Sequence, residues 1–235
     1  ADHFISSMAI SQLVLAMDPP APPAIRAAAQ KLHYRDLIVV ALILDEADPF
    51  PDNWIYIHSP EVKVGRIQNY RSWSEDFVPD KDRSSVGLEY FCQEGDEFWN
   101  TSDADLIRLA AGEMEKLGLG KAGAVVDGTV VRQQKAYPVY DDDYREALNM
   151  IRGWLSDIKN LQVVGRNGMH HYNNQDHSMM TAMLAVENIL GGSNDLWSVN
   201  VEEGYHEDIE SSARIATQEH GLEHAAGTAR QPEAA

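Results

Sequence analysis

The sequence predicts an α+β fold in which a mixed, largely antiparallel sheet is flanked by helices. Three strand-like segments, residues 54–58, 65–70 and 86–92, are separated by turn-forming residues, a spacing typical of an antiparallel meander. The run 37–44 is apolar on both faces and rich in β-branched residues, which predicts a central strand. The segment 102–117 carries apolar residues at helical spacing after a capping serine, so it predicts a flanking helix.

The remaining elements follow from the same two periodicities. They are, in chain order, a strand at 4–5, a stiff proline-rich connection at 18–23, a helix at 24–32, a strand at 124–133, a helix at 144–154, a strand at 161–164 and a helix at 176–190. Two glycines after the last helix are a common helix stop. Because the first strand begins almost at the first residue, we expect the chain to be a piece of something longer.

Composition narrows the possible functions. The chain has 235 residues, 44% of them apolar, which is enough to fill the core of one large or two small domains. Its formal charge of -18 disfavours binding to a phosphate backbone or to an anionic membrane surface. The single cysteine, Cys92, excludes an internal disulfide and a multi-thiolate zinc site. No apolar run approaches the roughly 20 residues of a membrane helix. We expect a cytoplasmic protein that binds neither nucleic acid nor membrane.

Residues 118–123 match the pattern G-x-G-x-x-G letter for letter. In a dinucleotide site this turn follows a strand and opens a helix, so that the helix N-terminus faces the pyrophosphate. Here a predicted helix precedes the glycines and a predicted strand follows them. We therefore interpret the match as a helix C-cap and loop.

The segment 165–179 is the most informative part of the sequence. A short apolar strand leads to Gly165, a polar loop follows, and a helix begins near Asp176. A helix N-terminus leaves unpaired backbone N–H groups and a partial positive charge, which suit a phosphate, a carboxylate or the electron-rich edge of a reduced flavin. Alternatively, Asn173, Asn174 or Asp176 could simply cap the helix.

Three histidines in this segment raise the question of a metal site. His170, His171 and His177 lack the i, i+4 helical spacing of common zinc sites, so we predict no metal and assign them to hydrogen bonding in a polar loop. A serine hydrolase is also disfavoured, because no serine lies in a G-x-S-x-G turn.

Residues 165–188 resemble the C-terminal flavin motif of the FAD-dependent amine oxidase and protoporphyrinogen oxidase superfamily, in particular that of UDP-galactopyranose mutase-like proteins. In that group a Gly-Arg pair ends a strand, a loop with a tyrosine follows, and a polar pair opens the last helix of the flavin domain. Gly165, Arg166 and Tyr172 match this pattern. Asn174-Gln175 stands where mutases usually have Asp-Met, and this departure concerns the mutase activity more than the flavin site.

The resemblance implies a set of FAD-binding residues, which are Gly165, Arg166, Tyr172, Asn174, Gln175 and Asp176. It also implies that 1–17 and 158–192 are remnants of a Rossmann-like FAD-binding domain and that 18–157 form the substrate-binding domain. Composition, independently, predicts that 193–235 form an acidic tail with a disordered end. The family's N-terminal part, with its G-x-G-x-x-G turn, is missing. We therefore expect FAD in an intact parent protein, absent or weakly bound in this chain alone, and a missing N-terminal half or partner subunit.

Candidate substrate-binding residues come from strand alternation. Arg66, Gln68 and Tyr70 share one face of a predicted strand, Trp73 follows it, and Glu89 lies on the next strand. Further candidates are His58, Tyr137 and Tyr140. Each aromatic residue could instead be ordinary core packing, Trp54 and Trp99 are assigned to the core or its rim, and Cys92 to an inert buried thiol. The run 205–208 is assigned to a solvated acidic face.

Three functions follow as hypotheses. The first is the C-terminal part of an FAD-dependent oxidoreductase whose flavin passes electrons to or from a small-molecule substrate. The second is a flavin-dependent sugar isomerase of the mutase type, with no net oxidation. The third is a non-catalytic binding or scaffold module without FAD. For the isolated chain we expect exposed apolar surface where the absent half should pack, which self-association as a homo-oligomer could cover.

Overall fold

A five-stranded antiparallel sheet forms the centre of the first part of the chain. In the computed structural model, which describes residues 1–200, the strand order is β3-β4-β5-β2-β6. The strands are β2 (Tyr34–Leu44), β3 (Trp54–Tyr56), β4 (Arg66–Asn69), β5 (Ser84–Cys92) and β6 (Val125–Pro138). The predicted fold class is confirmed, and so are the meander β3-β4-β5 and the interior position of β2.

One face of this sheet, the core face, packs against helix α4 (Asp103–Lys116). The side chains that alternate toward it on β2 and β5, among them Ile38, Val40 and Leu88, are fully buried against Leu106 and Met114 of the helix. The opposite face of β2 is less covered, and its Ile43 is exposed. Because one helix layer covers only one face, the apolar run of β2 is buried on one side and half-covered on the other.

Helix α4 begins and ends as its sequence predicts. The Ser102 hydroxyl accepts a hydrogen bond from the Asp105 amide at 3.2 Å, which caps the first turn. Gly118 follows the helix with a φ of 72°, a left-handed conformation that favours glycine. A single 3-10 turn then leads into β6, so the glycine-rich run lies after a helix and before a strand, as interpreted.

Smaller elements surround the sheet. They are β1 (Phe4–Ser6), α1 (Ile10–Ala16), α2 (Pro23–Gln30), α3 (Tyr70–Trp73), α5 (Tyr144–Leu155), β7 (Leu161–Val163) and α6 (Gly165–Met169). Strands β1 and β7 form a separate parallel pair. Helices α1 and α3 were not predicted.

Two predicted elements are wrong. β4 ends at Asn69, so Tyr70 lies on the short helix α3 and not on the strand. The buried Asn69 side chain donates a hydrogen bond to the Phe50 carbonyl at 2.8 Å, which fixes the chain where it leaves the sheet. The polar loop predicted after Gly165 begins instead as the one-turn helix α6, which ends at His170 in a left-handed conformation (φ 47°).

The chain divides into two compact units, residues 1–171 and 172–235. The described part of the second unit contains helix α7 (Gln175–Ile189), which Gly191 follows with a φ of 105°. The predicted run 205–208 and the predicted disordered end lie outside the described residues. Within residues 1–200, no helix has the length and apolar character needed to cross a membrane, and no group of three or more candidate ligands could hold a metal ion.

Candidate functional site

The face of the sheet opposite α4, here called the outer face, carries the candidate site. Pairing of β3 with β4 sets Tyr56 opposite Arg66, and pairing of β4 with β5 sets Arg66 opposite Glu89. Two residues further along β4, Gln68 pairs with Trp54 of β3 on one side and with Gly87 of β5 on the other. Since alternate residues of paired strands share a face, these side chains meet on the outer face.

A buried ion pair forms the centre of this group. The Arg66 Nε donates to Glu89 Oε2 at 2.9 Å, and its Nη2 donates to the same oxygen. The two side chains are only 6% and 4% exposed. The amide of Gln68 donates to the other carboxylate oxygen, Oε1. Because both carboxylate oxygens have donors, the desolvation cost of the charges is offset by direct pairing.

Aromatic rings surround the Arg66 guanidinium. Its central carbon lies 5.1 Å from the ring centroids of Trp54 and Phe91, 5.9 Å from that of Tyr56 and 5.5 Å from that of Tyr137. Trp54 and Tyr56 stack on one another at 5.9 Å. Electron-rich ring faces attract a cation, so they favour the charged guanidinium at this buried position.

Tyr137 joins this group from β6. Its hydroxyl accepts a hydrogen bond from Arg66 Nη2 at 2.5 Å, and its ring contacts Phe91 at 5.9 Å. Burial disfavours the charged form of Arg66, but the hydrogen bond that it donates to Tyr137 and the charge of Glu89 outweigh this effect and raise the pKa of Arg66 above its ordinary value. The guanidinium therefore stays charged and is committed to its protein partners.

Tyr70 reaches the outer face from α3. A Cβ placed on Gly87 would come within 2.9 Å of the Tyr70 ring carbon Cζ, so the ring lies directly over the glycine. Burial and the nearby charge of Glu89 raise the pKa of Tyr70. Trp73, three residues further on at the end of α3, is 49% exposed and packs against Trp54 at a centroid distance of 6.3 Å. Both predicted residues therefore adjoin the cluster, although they reach it from a helix.

The rings of Trp54, Tyr56, Phe91 and Tyr137, here called the aromatic wall, enclose a pair of charges that neutralise each other. The two charged side chains are buried and paired, while the exposed surface is contributed by rings such as Tyr56 and Phe91. An anionic ligand would have to displace Glu89 to reach Arg66. The wall thus suits contact with a flat or apolar group more than capture of a phosphate.

Gly165 and Arg166 lie at the carboxyl end of β7. The Val164 amide donates to the Ser6 carbonyl at 2.9 Å, which extends the parallel pairing to this point, and Gly165 follows with a φ of 76°. Arg166 then turns toward β6, where its guanidinium carbon lies 5.0 Å from the centroid of the Tyr137 ring. Tyr137 therefore contacts both Arg66 and the first residues of the predicted FAD segment.

This end of β7 has features that fit a bound FAD phosphate chain. Ligands of parallel α/β sheets bind beyond the carboxyl ends of the strands. A Cβ on Gly168 would come within 2.8 Å of the Ser6 carbonyl oxygen, so the backbone of α6 packs directly on β1. Within the described residues, the buried Ser6 hydroxyl has no hydrogen-bond partner. A glycine in a left-handed conformation, an arginine and an orphaned hydroxyl are groups that a phosphate-bearing cofactor can engage.

In the second unit, Asn174 is the N-cap of α7, and its neighbours Gln175 and Asp176 are exposed. The Asn174 amide donates to His177 Nδ1 at 3.3 Å, so His177 closes a capping box that the sequence did not suggest. The amides of Gln175 and Asp176 remain in the first turn, where a helix has no internal acceptor. They are neither sealed in apolar surroundings nor part of a metal cluster within residues 1–200.

The Tyr172 segment is tied to the end of the described chain. The Asn200 side chain donates to the Tyr172 carbonyl at 3.0 Å and to the Asn173 side-chain oxygen at 3.2 Å. Asn173 is buried, whereas Tyr172 is half-buried. These bonds tie the residues just before α7 to Asn200.

Tyr140 belongs to a second aromatic group. Its ring stacks on Tyr144 at 4.4 Å and its hydroxyl lies 3.4 Å from His171 Nδ1. His170 is fully buried beside them, in edge contact with Tyr34 at 4.9 Å. Burial is the largest cause that lowers the pKa of His170 to about 4, so the ring is neutral near pH 7.

Two further predictions concern residues outside these groups. Burial raises the pKa of the Cys92 thiol to about 11, in agreement with an inert buried cysteine. His58 is exposed in the chain that follows β3. Neither residue belongs to the Arg66 cluster.

Sequence reasoning missed three members of the aromatic wall. Trp54 was assigned to the core or its rim, and Tyr56 and Phe91 were not singled out. All three alternate correctly with Arg66 or Glu89 along paired strands, so the signal was present once the register was known.

No family model matches the sequence, and no curated protein does. Solved structures are similar in fold. A reduced UDP-galactopyranose mutase superposes with a TM-score of 0.68 at 20% identity, over 85% of this chain and 44% of that one. A protein assigned as a protoporphyrinogen oxidase from Exiguobacterium sp. 255-15 gives 0.58 at 14% identity, over 80% of this chain and 42% of that one.

A wild-type putrescine oxidase bound to putrescine gives a TM-score of 0.54 at 14% identity, over 82% of this chain and 43% of that one. The chain therefore spans less than half the length of each of these three proteins. The likenesses agree with the resemblance that residues 165–188 suggested. The chain has the fold of the flavin amine-oxidase-like proteins.

Proposed function

We propose that this chain is the C-terminal part of an FAD-dependent oxidoreductase of the amine oxidase superfamily, acting on a small-molecule substrate. When bound, FAD would supply two-electron transfer to or from that substrate. The supporting observation is the position of Tyr137, which hydrogen-bonds to Arg66 of the outer face and packs against Arg166 of the FAD segment. The two parts that the sequence assigns to substrate and to cofactor thus meet at one side chain.

Different residues of this chain would bind different parts of FAD. Gly165 allows close backbone approach, and the Arg166 guanidinium can donate two hydrogen bonds to phosphate oxygens. The first turn of α7, with Gln175 and Asp176, would stabilise the negative charge that reduction places at one edge of the flavin. Asn174 contributes by fixing that turn, since its own amide is occupied by His177. Tyr172 completes the proposed set.

The substrate side of the proposal rests on the outer face. Arg66 and Tyr137 hold the aromatic wall in position, and Tyr70 and Trp73 border it from α3. Tyr140, which stacks on Tyr144, is assigned to the edge of the site near the histidines. In this proposal residues 18–157 bind the substrate, and residues 1–17 and 158–192 belong to the FAD-binding domain. The missing nucleotide-binding half would come from an N-terminal segment or a partner subunit.

The first experiment is genetic and then spectroscopic. The DNA immediately upstream should encode a strand, a G-x-G-x-x-G turn and a helix, in frame or as an adjacent gene. Expressed together with that polypeptide, this chain should yield a yellow protein with flavin absorbance. The chain alone should stay colourless after incubation with FAD, because it lacks most of the phosphate-binding surface. A colourless complex after incubation with FAD would contradict the proposal.

A pair of arginine variants tests the cofactor role within that complex. Arg166→Ala should weaken FAD retention about tenfold or more, since the loss of even one of its two charge-assisted hydrogen bonds has an effect of that size. The control is Arg108→Ala, because Arg108 is exposed on α4 and forms an ion pair with the neighbouring Asp105. FAD release would be followed by ultrafiltration and absorbance. Equal retention in both variants would exclude Arg166 from the site.

A flavin-dependent sugar isomerase is the second candidate function. It is favoured by the higher TM-score to the mutase, 0.68, than to the putrescine oxidase, 0.54. The assay that separates the two functions uses the reconstituted complex. Flavin reduction by an amine or related substrate under anaerobic conditions indicates the oxidoreductase, whereas isomerisation of a nucleotide sugar under reducing conditions indicates the mutase.

A further inference from the structure

Strand β6 carries an unusual irregularity just before Tyr137. Arg35 of β2 pairs with Tyr137, and Leu37 pairs with Gln133. Between these pairs, the single residue Asp36 faces the three residues 134–136 of β6. Such a bulge bends its strand and redirects the side chains that follow it.

The bulge contains a backbone conformation that its residue does not favour. Lys135 has a φ of 52°, in the left-handed region that glycine adopts readily and lysine rarely does. A conformation of this kind persists only where the surroundings hold it, and such positions cluster at functional sites.

A buried carboxylate holds the bulge from one side. Asp36 is 6% exposed, and its Oδ1 accepts the Lys135 amide at 2.6 Å. Its Oδ2 accepts the Glu94 amide, also at 2.6 Å. The Glu94 carboxylate in turn accepts from the side chain of Gln134. One carboxylate therefore connects the bulge to the chain that leaves β5.

The FAD segment holds the bulge from the other side. The Asn167 side chain donates to the Lys135 carbonyl at 2.9 Å. Arg166 Nη1 lies 3.5 Å from the Ala136 carbonyl oxygen, within reach of a weak hydrogen bond. The next residue after these anchored carbonyls is Tyr137, whose ring lies between the two guanidinium groups of Arg66 and Arg166.

We infer that Asp36 is a positioning residue for the candidate site, acting through the bulge at Lys135 to set Tyr137 between Arg66 and Arg166. Asp36 accepts the backbone amides of Lys135 and Glu94, and its effect on Tyr137 passes through these bonds. Calling its target a functional site rests on the proposed function, but the contacts themselves do not. The carboxylate is suited to this role because both oxygens accept backbone N–H groups, which an amide side chain cannot do.

The experiment reads the environment of Tyr137 directly in the full chain. The nine tyrosines are replaced by 3-fluorotyrosine, and the fluorine resonance of Tyr137 is assigned with Tyr137→Phe. In Asp36→Asn we expect that resonance to move from its wild-type position to that of a solvent-exposed tyrosine. An unchanged Tyr137 resonance in folded Asp36→Asn would overturn the inference.

Glu113 provides a matched control with its own reporter. Its carboxylate also accepts two backbone amides, those of Lys63 at 2.7 Å and Val64 at 3.1 Å, and the Tyr90 hydroxyl at 3.1 Å. Glu113→Gln should move the Tyr90 resonance and leave that of Tyr137 in place, while Asp36→Asn should do the reverse. If each variant moved both resonances equally, the effect would be general loosening and the inference would be wrong.

Two more variants keep the test decisive if Asp36→Asn folds poorly. Asn167→Ala removes the milder anchor and should shift or broaden the Tyr137 resonance by a smaller amount. Adding Lys135→Gly to Asp36→Asn should restore the resonance, because glycine accepts the left-handed backbone without the carboxylate. Failure of both expectations would overturn the inference. No FAD is added, so a failure of the flavin proposal leaves these results unchanged.

Discussion

The two faces of the central sheet are built from alternate residues of the same strands, yet they bury different kinds of side chain: apolar ones on the core face and a charged pair on the outer face. On β5, Leu88 points to the core face and Glu89 to the outer face, and both are buried. Leu88 packs among apolar side chains under α4, whereas Glu89 pairs with Arg66. Burial of apolar area stabilises the fold directly. A buried ion pair adds little net stability, so the outer face is organised to position groups.

The largest effect should come from breaking the ion pair. Glu89→Gln leaves the Arg66 charge buried without its partner, which should lower the free energy of unfolding by about 3–5 kcal/mol. Equilibrium unfolding in urea measures this change. The control combines Arg66→Met with Glu89→Leu, which removes both charges and should recover most of the loss. If the single and double variants were equally unstable, packing rather than charge would explain the effect.

On the core face, truncation of a buried apolar side chain should destabilise the fold by leaving a cavity. Leu88→Ala should lower the free energy of unfolding by about 2–5 kcal/mol, since the side chain is fully buried and its truncation leaves a cavity. Val39→Ala, on the half-covered side of β2, is the matched control and should cost clearly less. The fluorine resonance of Tyr137 should remain in place in both variants. Movement of that resonance in Leu88→Ala would show that the two faces are coupled.

His170, in the second aromatic group, should make the stability of the fold depend on pH. The pKa of His170 is lowered from 6.5 to about 4, so above pH 6.5 the ring is neutral in both folded and unfolded chains. As the pH falls from 6.5 toward 4, only the unfolded chain takes up the proton, and stability falls by roughly 3 kcal/mol.

The check on this pH dependence is a comparison of slopes. His170→Asn removes the titrating ring and keeps a residue that tolerates the left-handed backbone at this position. Urea unfolding across this pH range should show a flatter profile for the variant than for the wild type. Parallel profiles would assign the pH dependence to other groups.

The smallest effect is expected at the rim of the outer face. Trp73 is half-exposed and makes one ring contact with Trp54, so Trp73→Ala should change stability by less than about 1 kcal/mol. In the reconstituted complex the same variant should raise the KM for substrate while kcat stays nearly unchanged. A loss of stability comparable to that of Leu88→Ala would move Trp73 from the rim to the core.

Strand alternation was enough to predict part of the site. It placed Arg66 and Gln68 on one face and assigned Glu89 to a neighbouring strand, and the three side chains do meet. Alternation defines which face a residue occupies, but it does not define which residues of two strands stand opposite each other. The aromatic wall depends on that register, and therefore Trp54 and Tyr56 were not recognised.

Other features had no local signal in the sequence. The bulge places a lysine in a left-handed conformation, which propensity would not suggest, and the conformation is held by Asp36 from another strand. Tyr137 was proposed as a site residue, but its contact with Arg166 follows from this long-range bond. Likewise, the cap of α7 by His177 depends on a side chain that is not a usual capping partner.

The position of Tyr70 over Gly87 sets a limit on how this surface can be altered. Any side chain larger than hydrogen at position 87 would meet the phenol ring and push it aside. Tyr70 lies close enough to Glu89 for that charge to raise its pKa. Displacing the Tyr70 ring with a methyl group at position 87 would therefore also change the surroundings of Glu89. A substitution at position 87 would thus reshape the outer face without replacing a charged residue.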